Sequence, residues 1–280
     1  MTGTSAPTSM TGMTHPDTSG DASGVWIREL TDLADLRAAC ALFTEIWRPA
    51  PDNPPVTAEL MRALASGGGY VAGAFDGARL VAASAGFCGP PRERCLHSHI
   101  AGVAASARGR GVGRALKRHQ RAWALERGID QISWTFDPLV RRNAWFNLTR
   151  LGARPVAYLP DFYGGMHDAI NGDDQSDRLL VRWDLTLSPV DSTDAVGADV
   201  ALAAGLDGTP SATETSAATV LVGVPDNIES LRRERPDVAR SWRLALRRAL
   251  GDSMSAGAKV IGFDKDGGYV VRTRQDGEQP

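Results

Sequence analysis

Apolar and polar positions alternate from Val25 to Leu30, and apolar residues then recur at Leu33, Leu36, Cys40 and Phe43. The first pattern predicts a strand; the second is one face of a helix that Thr31 or Asp32 opens and that runs to about Phe43. Trp47 to Pro55 holds too many prolines for regular structure, after which Thr57 caps a short helix, Ala58–Ala65, ended by Gly67-Gly68-Gly69. The proline-rich stretch reads either as a cover over a substrate or as a plain connector. Tyr70–Phe75 and Arg79–Phe87 are apolar strands around Asp76-Gly77, a strong hairpin signal. Leu96–Val103 follows as a third antiparallel strand and leads into a glycine-rich loop, Arg108-Gly109-Arg110-Gly111-Val112-Gly113. An arginine-rich helix comes next and closes at Gly128.

Asp130–Phe136 has the β-formers of another strand, joined to Leu96–Val103 through the helix, so the two are predicted to lie parallel. Arg141–Leu151 is a helix with Ala144, Leu148 and Leu151 on its inner face, and Arg154–Tyr158 and Arg178–Leu185 are the next strands. From Ser188 to about Ala218 the composition turns to Asp, Ala, Gly, Thr and Ser, which predicts a linker or mobile loop. Beyond it lie a strand at Thr219–Val224, a helix from Pro236 to about Met254, and short strands at Lys259–Asp264 and Gly268–Arg272. The expected organisation is a disordered tail over 1–24, a main α/β (α+β) domain over 25–187, the linker over 188–218, and an α/β extension over 219–280. The extension is too small for a core of its own, so it packs on the main domain or on a partner subunit.

Composition narrows the field only a little. The 280 residues are 42% apolar and 23% charged, with a net charge of −2, ordinary values for a soluble globular chain. Basic residues cluster on a few helices while acids are spread, which argues against nucleic acid as a partner and for a local anion site. Cys40, Cys88 and Cys95 have no metal-ligand spacing, so no metal is expected and reduced thiols of a cytoplasmic protein are. No apolar run approaches membrane-spanning length. The apolar stripe of the last long helix is compatible with a homodimer.

The glycine loop is the informative chemistry. Glycines bring the backbone close to a ligand, the helix start offers unpaired N–H groups, and Arg108, Arg110 and Arg114 add charge. Such a site suits ATP, a dinucleotide or coenzyme A. The Gly-Lys-Ser/Thr of a P-loop is absent, and a hairpin precedes the loop where a dinucleotide fold has an alternating βα series.

With Val103 before it, the Arg108-x-x-Gly111-x-Gly113 loop and the succession of strand, helix and strand resemble the GNAT superfamily of acyl-CoA-dependent N-acyltransferases. The resemblance covers roughly Val25 to Leu185 and implies a mixed sheet with antiparallel N-terminal strands and a central, splayed parallel pair. It further implies acetyl-CoA or succinyl-CoA as cosubstrate. Val103 would pair through its backbone with the pantetheine arm, Arg108, Gly109, Arg110, Gly111, Val112, Gly113 and Arg114 would hold the pyrophosphate, and Asn143 would contact pantetheine. The runs WTFDPLVRRNAWFNLTRLGA, PDFYG, SDRLLVRWDL and ARSWRLALRRAL are similar to a subgroup of predicted acetyltransferases related to amino-acid N-succinyltransferases. The family's leaving-group tyrosine falls on Leu148, so the resemblance leaves the general acid unassigned.

From the residues themselves, Tyr163 is the leading substitute acid and Tyr158 the second; for each the alternative is a packed aromatic. His97 and His99 are candidate bases, placed by two-residue spacing on one strand face together with Ala101 and Val103; the alternative is a structural histidine pair. Asp137, at the end of the next strand, binds or deprotonates an amine, or else closes a turn as Asp-Pro. Arg141, Arg142 and Arg178 are candidate partners for a substrate carboxylate, Arg178 foremost because it precedes a strongly apolar strand. The expected activity is acyl transfer to a small amine or amino acid within a ternary complex. The alternatives are a non-catalytic acyl-CoA-binding module and a protein lysine or N-terminal acetyltransferase.

Overall fold

The computed structural model describes residues 24–50, 52–166, 168–172, 174–187, 197–264 and 266–273. The predicted N-terminal tail lies outside them, except for Gly24. Asp76-Gly77 turns β2 (Tyr70–Asp76) onto β3 (Arg79–Cys88), with Gly77 at φ 58°. β1 (Trp26–Glu29) adds antiparallel to β2, and β4 (Cys95–Val103) adds antiparallel to β3. β5 (Gln131–Phe136) pairs parallel with β4, and β7 (Arg178–Asp184) and β6 (Arg154–Leu159) complete a seven-stranded sheet ordered β1-β2-β3-β4-β5-β7-β6. This is the mixed α/β architecture that the residue pattern predicts.

Two cores cover the two faces. On one, α1 (Leu33–Trp47) and α2 (Ala58–Ser66) bury Leu36, Phe43 and Met61 against Val71, Ala83 and Ala85. On the other, α3 (Val112–Glu126) buries Val112, Leu116 and Trp123 against Ala72, Leu96, Ile132 and Trp134. Thr57 caps α2 as expected, its hydroxyl accepting the Leu60 N–H at 3.2 Å. The helix α4 (Arg141–Ala144) continues as a π-helical turn over Trp145–Arg150, a widening often found beside functional sites.

Part of the stretch predicted as a linker or mobile loop forms strands. Residues 188–196 lie outside the described set, but β8 (Asp199–Ala204) and β9 (Pro210–Ala212) are strands. They join β10 (Thr219–Gly223), β11 (Lys259–Phe263) and β12 (Gly268–Arg272) in a second sheet, β11-β12-β10-β8-β9. Small residues hid these strands: only Leu202 of β8 reaches the core, and propensity counts weigh against Ala and Gly. Between β10 and β11 lie α5 (Ile228–Glu234), α6 (Pro236–Leu246), a π-turn over Arg247–Asp252 and α7 (Ser253–Ser255). Trp242, Leu246 and Leu250 are buried in the same core as α3. Gly251 lies so near Tyr158 that a Cβ there would meet the ring at 3.0 Å.

Because both sheets share one apolar core, Trp242→Ala is expected to cost about 3–5 kcal/mol and to lower the stability of the whole chain. Urea unfolding followed by tryptophan fluorescence and by far-UV dichroism checks this. One coincident, shifted transition is expected, and separate transitions for the two sheets would contradict it.

Candidate active site

The parallel pairing of β4 with β5 lasts for three residues, Cys95–Gln131, Leu96–Ile132 and His97–Ser133, and then stops. Beyond that rung β4 stays bonded to β3 and β5 to β7, so the two strands part and leave a fork in the sheet. Ala104 N–H donates to Val81 across the β3 side, so by strand alternation the amides of Ala101 and Val103 face the open edge. The fork widens toward the glycine loop. There Gly109 and Gly111 have φ of 75° and 81°, a region that costs other residues about 1–2 kcal/mol. Gly111 is the residue from which α3 starts, and Gly113 packs beside Val103. Arg108 and Arg114 are exposed, and Arg110 pairs with Asp76 at 2.7 Å.

A β-bulge corrects one expectation about the strand. Two-residue spacing puts His97, His99, Ala101 and Val103 on one face, but the register slips between Ser98 and Ile100. Ser98 faces α3, where Lys117 reaches it, whereas Ile100 packs with the α1 core and Val103 returns to the α3 side. His97 therefore lies opposite Val103. The histidines remain neighbours, with ring centres 6.3 Å apart, and Phe87 of β3 lies against both at 5.1 and 6.1 Å.

On the His97 face, at the fork, a polar row crosses the strands. His97 Nδ1 is 3.3 Å from Ser133 Oγ, and two residues along β5 the Thr135 hydroxyl is 3.1 Å from the Tyr163 hydroxyl. Burial holds both histidines below the usual imidazole value, and at His97 the charges of His99 and Lys117 act in the same direction. Both are thus neutral near pH 7, as a base must be. Phe162 and Tyr163, in T-shaped contact, are half exposed, and the segment they belong to crosses to α1, where Ala169 N–H bonds Trp47 O at 3.0 Å.

Four candidates are engaged elsewhere in the structure. Asp137 is not a base: it is 6% exposed and held by Arg232 at 2.5 Å and Arg243 at 2.8 Å, which with Arg178 keep its carboxyl far below the ordinary range despite burial. Its other task is the turn, accepting Leu139 N–H at 3.0 Å. Tyr158 donates to Asp177 at 2.7 Å, and burial next to that carboxylate raises its phenol well above the usual value, so its proton is committed to Asp177. Arg141 and Arg142 are paired with Asp226 and Glu229 of the C-terminal part.

Arg178 is a less closed case. Arg232 and Arg243 both also reach Asp174, while Arg178 stays 4.0 Å from Asp137. It bonds the Asp177 carbonyl and Asn171 Oδ1 at 3.2 Å each, and the Tyr163 ring lies 5.5 Å above its guanidinium. Met166 Sδ also lies 2.6 Å from its Nη2, and the Tyr163 side chain, 42% exposed, stands over this buried cation. Asn143 makes no side-chain hydrogen bond among the described residues. Beside it, Arg141, Arg142, Trp145, Asp226 and Phe263 line a cavity of about 340 Å³. Leu148 is packed in the core. Among the described residues no His, Cys, Asp and Glu group has metal-binding geometry, and no helix is long and apolar enough to cross a membrane.

Sequence reading missed Ser133, Thr135, Phe87, Lys117 and the arginines Arg232 and Arg243. Only Lys117 left a signal, a charge on the inner stripe of α3 beside Leu116 and Gln120.

Residues 34–152, less than half of the chain, match the acetyltransferase (GNAT) family. No curated protein matches. Solved structures with a similar fold include the ribosomal-protein-alanine N-acetyltransferase of Brucella melitensis, with 19% identity, a TM-score of 0.48, and coverage of 56% of this chain and 98% of that one. The ribosomal-protein-S18-alanine N-acetyltransferase of Escherichia coli gives 13% identity and a TM-score of 0.47 over 59% and 96% of the two chains. A protein of Salmonella typhimurium assigned as an acetyltransferase, with its cofactor acetyl-CoA, gives 15% and 0.47 over 60% and 98%. Each resembles little more than half of this chain, at identities too low to carry a substrate across.

Asp137→Asn leaves two buried arginines short of a charge and is expected to destabilise the fold by about 3–5 kcal/mol. The native carboxyl titrates below its unfolded counterpart, whose value is about 3.9. The stability it supplies is therefore complete above that value and is lost as pH falls below it. Urea unfolding of both proteins across the acid range should show their difference shrinking toward low pH; a constant difference would contradict the ionised network.

Proposed function

We propose that this chain, whose residues 34–152 match the acetyltransferase (GNAT) family, transfers an acyl group from acetyl-CoA or succinyl-CoA to the amine of a small substrate, an amino acid being the best fit. One observation carries this: a parallel strand pair parts after the His97–Ser133 rung and opens directly onto a glycine loop and helix start. The fork exposes backbone amides at Ala101 and Val103 that an extended amide-bearing chain pairs with. The N–H groups of Val112, Gly113 and Arg114, which have no intrahelical acceptor, suit a pyrophosphate, with Arg108 and Arg114 adding charge. Asn143 has a spare amide for pantetheine, and the cavity between Trp145 and Phe263, edged by Arg141 and Arg142, suits the nucleoside end. Bound there, coenzyme A supplies an activated thioester. The protein's work is to hold it, to bring up an amine and to move protons.

On the opposite face His97, neutral and oriented by Ser133, is the base that takes the amine proton, directly or through water. His99 and Phe87 line the same approach. Arg178 under Tyr163 supplies a fixed cation for a carboxylate, on the acceptor amino acid or at the far end of a succinyl group, once Tyr163 swings aside. That cation favours the succinyl-transferring subgroup over a donor without a terminal charge.

Thiol release with acetyl-CoA and succinyl-CoA, against a panel of amino acids, decarboxylated amines and lysine-bearing peptides, tests the reading. Amino acids should turn over well above their decarboxylated counterparts, and Arg178→Met should remove most of that preference. Turnover of peptides alone would overturn the small-amine assignment, and binding without turnover would leave a non-catalytic acyl-CoA module. The rate should rise with pH through a value below 6.5 as His97 loses its proton, and His97→Ala should cost roughly 100-fold or more in kcat.

A further inference from the structure

The fork holds a cation on its α3 side. Lys117 Nζ donates to Ser98 Oγ at 2.9 Å and to Gln120 Oε1 at 3.0 Å, and it lies 4.2 Å from the centre of the Trp134 ring. Ser98 and Trp134 are the first residues of β4 and β5 beyond their last shared rung. The ammonium thus touches both strands where they separate. It has three N–H donors, and Ser98 and Gln120 engage two. Gln120 Nε2 and Ser84 Oγ, both buried, find no partner among the described residues.

The surroundings favour an exchangeable proton. The groups facing Lys117 are Ser98, Trp134 and Gln120; on the same sheet face Tyr70 and His119 bond each other at 2.9 Å, and His97 lies across the sheet. With no carboxylate against it among the described residues, burial alone pushes Lys117 down to about 7. Of the 31 Lys and Arg residues only Lys117, Lys259 and Lys265 are lysine. Arginine keeps its proton at any working pH and a buried lysine does not. On the core-facing side of α3, a helix otherwise rich in arginine, the basic residue is the one that can let its proton go.

Five residue steps separate Val103, beside the glycine loop, from Ser98 at the apex, a span of about 17 Å. An extended pantetheine arm that starts at the loop therefore ends near the apex. We propose that Lys117 is the general acid of the reaction, giving a proton from Nζ to the sulfur that leaves, in place of the tyrosine that Leu148 supplants. The inference rests on the reading of the fork as an acyl-CoA site. In the balanced step, the amine nitrogen bonds the acyl carbon and the carbon–sulfur bond breaks. The amine's proton goes to His97, Lys117 protonates the thiolate, and solvent later returns a proton to Lys117 and removes one from His97.

Three lysines make the test tractable. The protein labelled with [ε-13C]lysine should show one signal titrating near neutral pH, absent from Lys117→Met and shifted when coenzyme A or a non-transferable acyl-CoA thioether is added. Wild-type kcat should fall on the alkaline side with the same midpoint. Lys117→Met should bind the thioether within about threefold of wild type by calorimetry, which also verifies its fold, yet lose roughly 100-fold to 10,000-fold in kcat and the alkaline limb. Lys117→Arg should lose the limb as well, and Tyr163→Phe should keep it. A Lys117→Met protein with wild-type kcat and pH profile would overturn the proposal while leaving the acyl-CoA reading intact. So would an acyl mass increment on Lys117, which would make it an acceptor. Failure of wild type to bind the thioether would overturn both.

Discussion

After the His97–Ser133 rung, β4 and β5 stop exchanging backbone hydrogen bonds, yet neither strand frays. Unpaired backbone inside a sheet is costly, and the fork persists because each strand is fully bonded on its other side, β4 to β3 and β5 to β7. Side chains fix the angle. Lys117 bridges the strands at the apex from the α3 side, His97 and Ser133 do so from the other, and the bulge at His99 turns the outgoing part of β4 over.

The C-terminal part belongs to this arrangement. Asp137 ends the β5 segment, and its carboxylate is gripped by Arg232 and Arg243 from α5 and α6. Arg247 adds a second clamp on Asp177, immediately before Arg178. The extension thus sets where β5 ends and where Arg178 stands. Buried ion pairs of this kind add little net stability over apolar packing, but removing one partner is severe.

Local rules made most of the fold legible. The Asp76-Gly77 hairpin, the Thr57 cap, the glycine loop and the βα connection to β5 each follow from a few residues whose backbone demands are strong. At the candidate site, closeness along one element was legible, and His97 and His99 do lie together with ring centres 6.3 Å apart. The site was not legible where partners come from far along the chain: Asp137 reads as a candidate base or a turn residue until Arg232 and Arg243, about a hundred residues on, occupy it. The bulge that sends Val103 to the face opposite His97 has no glycine or proline at its own position to announce it. The strands β8 and β9 were hidden because small residues carry little β-propensity and their order comes from pairing.

A crystal structure of the chain with coenzyme A tests the central claim most directly. The account predicts the pyrophosphate on the backbone N–H groups that begin α3, the pantetheine arm between β4 and β5 against Ala101 and Val103, and the sulfur within reach of Lys117 Nζ at the apex. Coenzyme A bound elsewhere, or a fork closed by continued pairing of β4 with β5, would contradict it.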